Sequence, residues 1–139
     1  MSMKTIGIFC GGYSSESDIS VKSAQTIQDN LPGGYRVIKI YVSKENWMAE
    51  IDNGLVSFDL NTMSCKADVN VYLDYAIVYV HGDPGENGKI QSLLEMKHIP
   101  YINSGPLASA LSFDKWYCNQ FLKGFGIPVA KSCFIASDQ

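Results

Sequence analysis

The sequence predicts an α/β protein built on an open, parallel, Rossmann-like sheet with helices on both faces. Three observations predict it. Two apolar runs, Lys4–Cys10 and Tyr75–Val80, are rich in β-branched and aromatic residues and bounded by turn formers, so each reads as a strand buried on both faces. Each run breaks off into a glycine-containing loop, Gly11–Ser17 and His81–Gly88, and apolar residues then recur at helical spacing. A further strand signal at Tyr35–Val42 completes strand, helix and strand within about forty residues, which calls for a parallel pair with a right-handed crossover.

The elements follow in order. After the first strand, Asp18–Leu31 reads as a helix with Val21, Ala24, Ile27 and Leu31 as its buried stripe, Ser15 or Ser17 as cap, and Pro32-Gly33-Gly34 as its stop. Tyr35–Val42 carries alternating polar residues, as expected nearer a sheet edge. The signal weakens from residue 43 to 74: Lys44–Ile51 reads as a short helix, Leu55–Leu60 as an exposed strand, and Asn61-Thr62 as a turn, together an insertion carrying a hairpin. The central run Tyr75–Val80 and its loop lead into a helix over Lys89–Met96. Ile99–Asn103 reads as a short strand, and Pro106 opens a helical region suited to proline at its first position. That region breaks near Ser112-Phe113, with Asp114 capping a second helix, because a carboxylate on the apolar stripe would be costly to bury unpaired. Val129–Ala136 reads as one more strand, with no visible partner.

The 139 residues suffice for one compact domain and not comfortably for two. A net charge of −3 without any Lys/Arg cluster argues against a nucleic-acid or anionic-membrane surface. No apolar run approaches the roughly 20 residues of a membrane span, and the N-terminus lacks a signal-peptide core, so a soluble cytoplasmic protein is expected. The four cysteines, Cys10, Cys65, Cys118 and Cys133, are far apart, with no C-x-x-C and no metal-ligand spacing, and read as reduced thiols. No metal site is expected. Neither a G-x-G-x-x-G nor a G-K-[ST] motif is present, which excludes the dinucleotide and P-loop readings.

In open α/β sheets the loops at the carboxyl ends of the strands bind ligands, so His81 and Glu86 are the chemistry-bearing residues of the central loop. Glu86 reads as orienting that loop and capping the helix, and Gly82, Gly85 and Gly88 as conformational. By residue type alone Glu16 is an acidic residue in the first turn of a helix. An exposed lysine such as Lys115 reads as solvated.

Three ordered segments carry a resemblance. His81-Gly82-Asp83-Pro84-Gly85-Glu86-Asn87-Gly88-Lys89-Ile90-Gln91-Ser92 resembles the first signature of the D-alanine–D-alanine ligases, and Gly11-Gly12-Tyr13-Ser14-Ser15-Glu16-Ser17-Asp18-Ile19-Ser20 is similar to the N-terminal motif of that family. Ile99-Pro100-Tyr101, Ser104-Gly105, Ser109–Lys115 and Gly126–Ala130 continue the match in order, leaving only the insertion at 43–74 uncovered. The resemblance implies that the fold is of the pre-ATP-grasp type. It implies an ATP-dependent ligase of peptidoglycan synthesis, in which ATP phosphorylates the carboxylate of one D-alanine and the amine of a second attacks the acyl phosphate. Residues 1–112 would be the substrate-binding domain and 113–139 the incomplete start of the ATP-grasp region. ATP and Mg²⁺ would serve the full-length enzyme. Neither is expected on this fragment, which should be inactive alone.

By the same resemblance, Glu16 and His81 are the catalytic and substrate-binding residues, Glu16 holding the ammonium of the first D-alanine and His81 reaching its carboxylate or the Glu16 network. Ser20 joins them at the substrate, Glu86, Gly82, Gly85 and Gly88 support them, and Lys115 contacts ATP phosphate. Asn119 departs from the family pattern, which more often has a second lysine there. A homodimer is implied. A D-alanine–D-lactate or D-alanine–D-serine ligase is the near alternative, and a non-catalytic α/β small-ligand-binding domain the distant one. All of this requires Glu16 and His81 to leave adjacent parallel strands on the same rim.

Overall fold

The computed structural model describes residues 3–52 and 54–135. Its elements run β1 (Lys4–Gly11), α1 (Ser17–Asn30), β2 (Tyr35–Val42), β3 (Trp47–Ile51), β4 (Gly54–Asp59), β5 (Ser64–Lys66), β6 (Asn70–Tyr72), β7 (Tyr75–Val78), α2 (Lys89–Met96), β8 (Tyr101–Ile102), α3 (Pro106–Phe113) and α4 (Lys115–Gly124). The eight strands form one sheet in the order β6-β5-β4-β3-β2-β1-β7-β8. β2, β1, β7 and β8 are parallel, with Ile6 opposite Val37 on one side and Tyr75 on the other. This is the parallel core that the βαβ spacing predicts, and β3 to β6 extend it as an antiparallel meander.

Side-chain alternation along β1 divides the core. Ile8 and Cys10 point to one face, where they are buried with Ala24 of α1. Phe9 points to the other, where Ile38, Ile40, Val42, Ala76 and Val78 join Ile90 and Leu94 of α2. Helices therefore cover both faces. The meander curls over the second face as well, bringing Phe58, Met63, Cys65 and Val71 into the same cluster, and Phe9 meets Trp47 and Phe58 edge-on at centroid distances of 5.8 and 6.0 Å.

Several expectations change. Residues 47–51 form a strand instead of a short helix. Ser43 Oγ accepts from Asn46 N–H at 3.2 Å and donates to the Asn46 carbonyl at 2.7 Å, which turns the chain back so that Trp47–Ile51 pairs with β2. Ala49 and Ile51 are buried at a period of two, a pattern that five residues cannot distinguish from a helical one. The insertion at 43–74 holds four strands, so the expected hairpin is part of a longer meander.

The central strand is shorter than its apolar run, ending at Val78, and only one of its faces is sealed. Tyr75 and Tyr79 are 43% and 40% exposed, since α1 lies over β1 and β2 and leaves that side of β7 at the margin. Residues 129–135 form no strand, having no neighbouring strand to supply hydrogen bonds. Ala136, the last residue of that expected strand, lies outside the described residues.

The expected break between two helices is present. Asp114 caps α4, its Oδ1 accepting from the N–H groups of Trp116 at 3.0 Å and Tyr117 at 3.1 Å. Neither Ser15 nor Ser17 caps α1. Glu16 occupies the cap position without a side-chain bond, and its own N–H donates to Ser14 Oγ.

Candidate active site

The site lies at the carboxyl ends of β1 and β7. Gly11 and Gly12 have φ of +89° and +112°, and a Cβ on Gly12 would stand 2.7 Å from Val80 Cγ1 and 2.9 Å from the His81 carbonyl oxygen. The β1 exit loop thus passes against the β7 exit loop at a distance only glycine permits. Tyr13 N–H donates to the Asp83 carbonyl at 2.9 Å, and Ser14 Oγ donates to the His81 carbonyl at 3.1 Å. Glu16 and His81, remote in sequence, therefore stand on neighbouring loops of one rim.

Glu16 is exposed at the start of α1. His81 is half-buried, its ring edge-on to Tyr79 at 5.5 Å and its Nδ1 3.7 Å from Glu86 Oε1. The other carboxylate oxygen of Glu86 accepts from Gly82 N–H at 3.0 Å, which ties the Glu86 side chain back to the start of its own loop. It does not cap α2, whose cap position belongs to Gly88 in the left-handed region with no side-chain bond. Of the supporting glycines, Gly85 lies directly on the Val80 backbone, and a Cβ on Gly88 would stand 2.5 Å from the Pro106 carbonyl oxygen. Asp83 pairs with Lys89 at 2.8 Å, and that hydrogen bond holds its carboxyl below the ordinary range.

Ser20 corrects an expectation. It is fully buried, its Oγ accepting from Gly11 N–H at 2.9 Å and donating to the Tyr79 carbonyl. Its place one turn into α1 aims it at the sheet, so it ties α1 to the ends of β1 and β7 and does not face the rim. Ser14 and Gln91 are the residues that sequence reasoning missed. Gln91 is buried and its Nε2 donates to the Gly85 carbonyl at 2.8 Å, anchoring the loop from beneath. The signal for both was available, since each stands at a polar position inside a matched motif.

A cleft of about 780 Å³ opens beside this rim, between the ends of β7 and β8 and the α3–α4 junction. His81, Glu86, Ser104 and Lys115 line it, over a floor that includes Ile77 and Ile102. The structure thus brings His81, Glu86 and Lys115 to one cleft. Glu16 stands beside it on the adjoining loop, outside the cleft lining. An exposed carboxylate and an imidazole on one rim can take the two ends of an amino-acid zwitterion. Lys115, exposed at the first position of α4, can meet an anion as a point charge. Cys10, beneath the loop, is not a nucleophile at neutral pH, because burial pushes its thiol up to about 12. Among the described residues no three His, Cys, Asp or Glu side chains gather into a metal site.

No family model matches the chain. A D-alanine–D-alanine ligase of Bacteroides thetaiotaomicron is 34% identical over 139 residues, covering 98% of this chain and 43% of that protein. The crystal structure of the D-alanyl-alanine synthetase A of Vibrio cholerae superposes with a TM-score of 0.80 at 40% identity, over 92% of this chain and 39% of that one. The chain is a homologue of the D-alanine–D-alanine ligases. It spans about two-fifths of the length of the curated ligases it matches. A Bacillus anthracis D-alanine–D-alanine ligase, solved in complex with ATP, matches at 30% identity and a TM-score of 0.67, over 89% of this chain and 38% of that one. The superposition on the Vibrio cholerae structure takes in nearly the whole of this chain, the parallel core and its loops included.

Proposed function

We propose that this chain is the N-terminal, amino-acid-binding part of an ATP-dependent ligase that joins two D-alanines for peptidoglycan synthesis in the cytoplasm. Residues 1–112 form the binding unit and 113–139 begin the ATP-binding region. Glu16 balances the ammonium of the first D-alanine, His81 meets its carboxylate, and Lys115 neutralises part of the ATP phosphate charge. Glu86 and the glycines Gly82, Gly85 and Gly88 keep the His81 loop in shape. The carrying observation is the meeting of the two motif loops on one rim, in a chain homologous to ligases over nearly its whole length.

Phosphoryl transfer needs cations around the transferred group and a held Mg²⁺. Among the described residues one lysine lines the cleft and no carboxylate cluster is present, so these residues by themselves do not fit Mg²⁺-ATP. We place the remaining phosphate contacts and the Mg²⁺ ligands on residues beyond it, and read the 139-residue chain as inactive alone. The ligase working as a homodimer is part of the same reading. No helix among the described residues is long and apolar enough to cross a membrane.

The test is steady-state kinetics on the full-length protein, following ADP release as D-alanine is varied. Glu16→Gln is expected to raise the KM for the first D-alanine at least tenfold with the fold intact by circular dichroism. An unchanged KM removes Glu16 from the site, and absence of D-alanine-dependent ADP release removes the ligase reading.

A further inference from the structure

We propose that Ser14 is a positioning residue that holds the Glu16 and His81 loops at a set spacing, so that one amino acid meets both at once. The proposal rests on the roles given to Glu16 and His81 above. A hydroxyl can donate and accept together, and Ser14 Oγ does both across the two loops. It donates to the His81 carbonyl at 3.1 Å and accepts from Glu16 N–H at 3.2 Å. One atom therefore joins the peptide of the candidate imidazole to the peptide of the candidate carboxylate.

The neighbouring contacts show why this atom matters. Tyr13 N–H on the Asp83 carbonyl pins the loops at one point, which by itself leaves them free to swivel. The serine adds a second point one residue further along the β1 loop. Two points set an orientation. Gly82, at φ +71°, passes so close that a Cβ there would stand 3.1 Å from Ser14 Cβ, so the two loops are in tight contact beside the hydroxyl bridge. The Ser14 carbonyl also accepts from Ser17 N–H at 3.3 Å, which starts α1 on the same residue. A displacement of the His81 peptide is thus passed to the helix start that carries Glu16, and misplacement of about 1 Å at a binding constellation can cost orders of magnitude in rate.

The experiment compares Ser14→Ala, Glu16→Gln and the double variant in the full-length protein, with D-alanine varied at saturating ATP and with amide exchange measured at residue 16. Ser14→Ala is expected to raise the KM for the first D-alanine about tenfold, the effect of about 1.4 kcal/mol, with kcat within about twofold and with faster exchange at the Glu16 amide. The double variant should be no more than about twofold worse than Glu16→Gln, because the hydroxyl acts through Glu16. A Ser14→Ala protein that fails to fold, or that loses thermal stability while its KM stays at the wild-type value, makes Ser14 merely structural and overturns the proposal. So does a double variant whose KM is the product of the two single effects. If Glu16→Gln raises KM and Ser14→Ala does not, only the positioning role falls. If Glu16→Gln itself has no effect, the site reading falls and takes this one with it.

Discussion

Glu86 stands between Gly82 and His81, one carboxylate oxygen accepting from Gly82 N–H at 3.0 Å and the other 3.7 Å from His81 Nδ1. The loop that presents the imidazole is therefore closed on itself by a side chain four residues on. The Glu86 and Gly85 amides both return to the Gly82 carbonyl, at 2.8 and 2.9 Å, and complete the turn.

Removing the acceptor should loosen this turn without unfolding the sheet. Glu86→Ala is expected to accelerate hydrogen exchange at the Gly82 amide, with a stability loss of about 1 kcal/mol or less because the carboxylate is half exposed. Glu86→Gln keeps an acceptor oxygen and should restore most of the Gly82 protection. Equal exchange in all three proteins would show that backbone bonds alone hold the loop.

Gly88 and Gly33 make a contrasting pair. A Cβ at Gly88 meets the Pro106 carbonyl oxygen at 2.5 Å from a left-handed backbone, whereas a Cβ at Gly33 meets nothing within 4 Å. Gly88→Ala should cost about 2 kcal/mol or more, combining about 1–2 for the left-handed conformation with the clash. Gly33→Ala should be neutral or stabilising by up to about 1 kcal/mol through the unfolded chain. Urea midpoints decide it, and a Gly88→Ala midpoint equal to wild type would disprove the close packing of α2 against α3.

The Tyr41 and Glu50 pair gives a pH prediction. The Tyr41 hydroxyl donates to Glu50, whose carboxyl is held below its ordinary value first by that bond and then by Lys39, 3.1 Å away. A carboxylate depressed in the folded state contributes stability above its unfolded value, near 4.5, and loses it as pH falls through the lower folded value. Tyr41→Phe removes the largest cause, so between pH 7 and pH 3 its melting temperature should fall less than that of the wild type. Parallel melting curves across that range would rule out the coupling.

The parallel core was legible because its cause is local. Residues 75–80 are apolar throughout, residues 4–10 are so after Lys4 and Thr5, and residues 35–42 interleave apolar residues with Arg36 and Lys39, while the glycines that follow two of these runs announce loops at the rim. The Asp114 break was legible for a similar reason, since a cap bonds within its own first turn. The strand at Trp47–Ile51 was not, because its assignment depends on β2 as a partner and five residues hold too little periodicity. The unformed strand at 129–135 is the converse, a β-rich composition without a neighbour to pair.

From the sequence alone came the α/β class, the order of the core elements, the motifs holding Glu16 and His81, and the resemblance to the D-alanine–D-alanine ligases, all of which rest on residue type and short-range spacing. The tertiary structure decided that the insertion is a meander sealing Phe9, that Ser20 faces the sheet and that Ser14 joins the two loops. Those facts depend on contacts between residues tens of positions apart, such as Ser14 with His81 and Ser20 with Tyr79, and no local pattern encodes which distant backbone a hydroxyl will reach.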